Sequence, residues 1–86
     1  MIIQITQFQK DFLTKNVLQA RMELIKEIME GQFIHDKWQV DISNSVADEI
    51  RDLCSEMLQR IGFDEQYVLT KQGEILEELI DIFYVG

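Results

Sequence analysis

Proline is absent from this chain, so nothing in it forces a helix to stop or removes a backbone donor, and punctuation falls to four glycines at positions 31, 62, 73 and 86. One cysteine, Cys54, excludes an internal disulfide and agrees with a reducing compartment. The residues that would activate its thiol as a nucleophile are missing. One histidine, His35, rules out the paired-histidine patterns of zinc sites. The stretch from Asp64 to Ile75 lacks the glycine and final glutamate of a calcium loop, so no metal or cofactor is expected. Apolar runs such as Met1-Ile2-Ile3 and Phe83-Tyr84-Val85 fall far short of the roughly 20 residues needed to span a bilayer. The start also lacks the basic, apolar and small-residue layout of a signal peptide. These absences lead to the expectation of a cytoplasmic, soluble protein with no membrane partner.

Bases are scarce in one half only. Residues 44–86 hold ten acids against Arg51, Arg60 and Lys71, a net charge of −7, whereas residues 1–43 are at −1, giving the overall −8. A field of that sign speeds encounter with basic partners and suppresses contact with phosphate backbones or anionic headgroups, so no direct nucleic-acid binding is expected. With 47% hydrophobic and 28% charged residues the 86-residue chain is too rich in Ile, Leu, Val and Phe for a disordered acidic tail. It is expected to fold as a single helical domain over residues 1–86 with a small core.

Helical spacing dominates. Thr6 and Gln9 fit a capping box, and Phe8, Phe12 or Leu13, Val17, Ala20, Leu24 and Ile28 recur at helical intervals, widened by Leu18, Met22, Ile25 and Met29. This predicts helix from about 7 to 30, ended by Gly31, and Asn16, a weak helix former between Lys15 and Val17, leaves open a bend into two helices. In Gln32–Ile42, Trp38, Val40 and Ile42 alternate like a strand while Ile34, Trp38 and Ile42 keep helical spacing. Only Ile3-Gln4-Ile5 alternates elsewhere, and a two-stranded ribbon is marginal alone, so a loop or short helix packed down by Trp38 is expected. Ser43-Asn44-Ser45 supplies an N-cap for a helix with the stripe Val46, Ile50, Leu53, Met57, Leu58 and Ile61, closed at Gly62-Phe63 by a Schellman-type end. After a connector over 64–69, Thr70 caps a last helix carrying Ile75, Leu76, Leu79, Ile80 and Phe83, and Tyr84 to Gly86 form a frayed end. The expected fold class is all-α, a small antiparallel bundle of three to four helices.

On such helices the acids become faces. Asp48, Glu49, Asp52 and Glu56 share an arc of about 100°, and Glu74, Glu77, Glu78 and Asp81 share another. Glu74/Glu78 and Glu77/Asp81 are like-charge pairs that each cost roughly 0.2–0.5 kcal/mol in an isolated helix, and Asp81 lies near a C-terminus whose dipole disfavours it. With Asp64 and Glu65 of the connector these form the candidate partner-binding set. The plain alternative is a solvated face that keeps a small protein in solution.

Other features point less far. His35 and Asp36 are adjacent and would not face each other on a helix, so catalysis is not expected; an enzyme would need His35 to titrate in a pocket. Cys54, at the edge of the Ile50/Leu53/Met57 stripe, reads as a packed small hydrophobe, and Met22, Met29 and Met57 as core filler.

Two resemblances add to this reading. Tyr67-x-Leu69-Thr70-x-x-Gly73-x-x-Leu76 resembles the junction of wing and last helix in winged-helix regulators, but the preceding helix is acidic where a recognition helix is basic. Leu24-Ile25-x-x-Ile28-Met29-x-Gly31-x-Phe33, with Trp38 and acidic helices after it, resembles the small immunity proteins of colicin-type and contact-dependent-inhibition nuclease toxins. That resemblance implies a helical monomer that covers the basic active-site groove of a toxin nuclease domain, a tRNase or RNase, with carboxylates in place of phosphates. The alternatives are a phage-type nucleic-acid mimic and a structural protein whose first helix and Trp38 form a homodimer face.

Overall fold

A computed structural model describes residues 1–84; Val85 and Gly86, part of the expected frayed end, lie outside the described residues. Strand β1 (Ile2–Ile5) leads into helix α1 (Gln7–Phe12), a π-helical turn (Leu13–Val17) and helix α2 (Met22–Met29). A hairpin of β2 (Gln32–Ile34) and β3 (Lys37–Asp41) follows, then helices α3 (Asn44–Ile61) and α4 (Lys71–Ile82). The protein is therefore mixed α/β, and the all-α bundle expected from helical spacing is wrong. The finding that overturns it is a three-stranded antiparallel sheet in the order β1-β3-β2.

The sheet forms because the ambiguous stretch finds a partner on each side. Ile3 pairs with Val40 and Ile5 with Trp38 across one ladder, and Phe33 pairs with Trp38 across the other. The weak alternation at Ile3-Gln4-Ile5 thus supplies the third strand that makes the ribbon viable. Gln32–Ile42 is neither loop nor helix. His35 and Asp36 make the two-residue turn, with φ of 50° and 68°. Two successive left-handed residues match a type I′ hairpin turn, usually marked by Asn-Gly or Asp-Gly.

Period-2 burial sorts the sheet. Ile3, Ile5, Trp38 and Val40 face the helices and are buried, while Gln4 and Gln39 face out and bond to each other at 2.9 Å. Trp38 donates its indole N–H to the Ile28 carbonyl at 2.8 Å. The ammonium of the buried Lys10 lies 4.0 Å from the Trp38 ring centroid and 5.3 Å from that of Phe33. A cation among aromatic faces keeps part of its electrostatic compensation, which lets α1 lie on the sheet despite carrying a lysine there.

The expected helix over 7–30 is divided. Thr14 donates its hydroxyl back to the Lys10 carbonyl at 3.0 Å, Leu18 N–H reaches the Leu13 carbonyl, and the chain turns before α2. Leu13, Val17, Leu18, Leu24 and Ile28 enter the core, but Phe8, Met22 and Met29 are exposed, so these methionines are not core filler. Trp38 and most of that apolar stripe are consumed by the protein's own core, not displayed as a dimer face.

The caps match expectation more closely. The Thr6/Gln9 capping box is complete, and Ser43 and Thr70 accept from Val46 and Gly73 N–H. The end of α3 differs: Gly62 is right-handed at φ −74°, and Phe63 forms a β-bridge with Leu69, so there is no Schellman close. Gly73 lets α4 approach, since a Cβ there would strike the Gly62 carbonyl oxygen. The same carbonyl accepts from Thr70 N–H and Oγ1 at 2.8 and 3.1 Å. No helix among the described residues is long and apolar enough to cross a membrane.

Candidate protein-binding face

Burial of the opposite edges aims the acidic arcs outward. Helix α3 buries Ala47, Ile50 and Cys54, and α4 buries Gly73, Leu76 and Leu79. The carboxylates at Asp48, Glu49, Asp52 and Glu56 and at Glu74, Glu77, Glu78 and Asp81 are all exposed, as are Asp64 and Glu65 in the connector.

The two arcs sit on helices that pack against each other along a shared seam. A shallow depression there is lined by Leu58 of α3 and by Glu77, Ile80 and Asp81 of α4. One edge of the α4 arc therefore borders α3 directly. Glu78, on the other edge, accepts a 3.3 Å hydrogen bond from the Gln9 amide of α1.

Not every acid is equally available. Asp48 is ion-paired with Arg51 at 3.2 Å, and the Arg51 guanidinium lies 5.6 Å from the Tyr84 ring centroid. Glu49 meets Arg21 at 3.5 Å, where Arg21 also bonds Glu23 at 2.6 Å. That hydrogen bond is the main cause holding the Arg21 pKa above and the Glu23 pKa below their ordinary values. Asp64 serves the connector, accepting from Gln66 and Val68 N–H at 2.8 and 3.0 Å. Among the described residues no ion pair or side-chain hydrogen bond engages Asp52, Glu56, Glu65, Glu74, Glu77 or Asp81. They are the carboxylates left to meet a cation from outside.

Groups suited to other chemistry lie elsewhere. His35 is exposed at the hairpin tip. Cys54 is fully buried, and burial pushes its thiol up to about 12. Among the described residues no three His, Cys, Asp or Glu side chains converge as metal ligands would. Apolar exposure around the α3–α4 connector escaped sequence reasoning: Ile61, Phe63, Tyr67 and Val68 are all exposed. The one available signal was the run of bulky residues between two glycines, which helical spacing alone does not interpret.

No family model matches the chain. No solved structure matches it significantly either. A protein from Pyrococcus horikoshii named "Probable phosphoenolpyruvate synthase" is 30% identical over 69 residues. Those residues are 80% of this chain and 7% of the Pyrococcus protein, so this chain spans only a small fraction of that relative.

Proposed function

We propose that this protein is a binding module whose acidic helical faces dock on a basic protein surface and block it, acting as an immunity protein that neutralises a nuclease toxin. The observation that carries the reading is the outward set Asp52, Glu56, Glu74, Glu77 and Asp81 on two packed helices, unpaired among the described residues. Glu74 suits the first turn of α4, but no intramolecular cation among the described residues engages the set, and the i, i+4 pairs Glu74/Glu78 and Glu77/Asp81 oppose folding slightly. A nuclease groove is the partner class that best fits, because its cations are spaced to hold phosphates and carboxylates can occupy the same positions.

The decisive experiment is co-expression with the product of the neighbouring reading frame in a bacterial host. The neighbour alone should arrest growth and cleave RNA; with this protein present, growth should recover. A harmless neighbour, or one that kills equally well in its presence, sinks the proposal.

A further inference from the structure

We propose that the connector between α3 and α4 is the anchor of the interface, with Tyr67 entering a pocket rimmed by Lys or Arg on the basic protein partner. This rests on the binding role given above to the acidic faces.

The connector is tied down. Asp64 N–H and the Val68 carbonyl bond at 2.9 Å, Tyr67 N–H reaches the Asp64 carbonyl at 2.9 Å, and Thr70 N–H reaches the Gly62 carbonyl at 2.8 Å. The Asp64 carboxylate takes two more backbone donors, and the Phe63–Leu69 bridge closes the base. Inside this frame Tyr67 is held at φ 62° with 87% of its surface exposed. A left-handed conformation costs an L residue other than Gly, Asn or Asp about 1–2 kcal/mol.

For the fold, Tyr67 is the wrong residue there. Glycine or asparagine would suit the turn, and the ring takes part in no aromatic pair or hydrogen bond among the described residues. For an interface the same features help. A tyrosine on a pre-ordered loop brings large contact area at little further loss of conformational freedom, and Ile61, Phe63 and Val68 add apolar surface in the same short segment. Charge selects the occupant. Asp64 and Glu65 are the charged residues of the connector itself, beside Phe63 and Tyr67, and the nearest bases in sequence, Arg60 and Lys71, lie beyond it in α3 and at the start of α4, so a pocket taking Tyr67 has a cationic rim.

The test replaces single residues by photoreactive p-benzoylphenylalanine in the cells from which the gene comes. Position 67 and position 77 should capture the same protein, with an isoelectric point above roughly 9. Position 4, on the outer sheet face, should capture none. Adducts from 77 without any from 67 overturn the anchor and leave the acidic face standing; none from either position overturns both. Against the captured protein, purified, Tyr67→Gly should leave thermal stability unchanged or raised yet speed dissociation about 30-fold, the equivalent of 2 kcal/mol. Association should change little, and Tyr67→Phe should restore most of the residence time. A Tyr67→Gly variant that dissociates like the parent overturns the proposal.

Discussion

Two buried side chains show the two ways in which the fold treats a polar atom, unsatisfied at Cys54 and satisfied at Trp38. Cys54 is buried at 0% exposure, and loss of hydration alone raises its thiol from 9.0 to about 12. The folded thiol therefore keeps its proton where the unfolded one loses it. Stability from this group is intact below pH 9 and falls between about 9 and 12, by up to about 1.4 kcal/mol per pH unit. Denaturant titrations of Cys54→Ala across that range should show a shallower decline than the parent, and identical slopes would refute the assignment. Trp38 illustrates the opposite case, a polar atom that is fully satisfied. Trp38→Phe leaves the Ile28 carbonyl without its 2.8 Å donor and thins the aromatic surface over Lys10, so unfolding followed by circular dichroism should show a loss of about 1–3 kcal/mol. A change below about 0.5 kcal/mol would mean that water replaces the indole.

Among the elements, helices whose ends carry a chemical marker were legible and the sheet was not. Thr6, Ser43 and Thr70 each accept a backbone N–H at a helix start, and these are the positions where the sequence predicts caps. The hairpin was hidden because His35-Asp36 takes a turn that sequences normally announce with glycine, and because β1 lies about 35 residues from its partner strand. Spacing statistics see neighbours along the chain and not the Ile3–Val40 register that rescues a marginal ribbon. The turn's unusual residues make a prediction: Asp36→Gly, or His35→Asn with Asp36→Gly, should stabilise by about 0.5–1 kcal/mol in thermal melts. No gain would indicate that His35 or Asp36 makes compensating contacts in solution. The α3–α4 corner should respond the other way. Gly73→Ala places a methyl group against the Gly62 carbonyl and the Leu69 side chain, and the backbone shift needed should cost about 1–3 kcal/mol, read by chemical denaturation.

For the whole molecule, the question is whether the acidic surplus serves the folded state or something that meets it. The halves differ in number, five bases against six acids in residues 1–43 and three against ten in residues 44–86, and of the N-terminal bases Lys10 is buried under the sheet and Arg21 bridges Glu23 and Glu49. In the C-terminal half Arg51 is committed to Asp48, while Asp81 stands beside Glu77 at the seam. Which helices carry the acids could be read from the sequence, but their pairing could not, since it depends on which elements pack together. Stability and binding now predict opposite signs for one substitution. Asp81→Lys removes a like-charge pair and places a cation in the last turn of α4, so the free protein should gain roughly 0.3–1 kcal/mol at low salt, less as salt screens the charges. If the face meets a basic partner, the same variant should associate more slowly with the neighbouring-frame protein, and the dependence of its association rate on ionic strength should be shallower than the parent's. Higher stability with unchanged association would leave the acids no role beyond keeping the protein in solution. Selection for stability alone has no reason to keep an unfavourable pair beside the seam, so a gain in one assay matched by a loss in the other is the result expected.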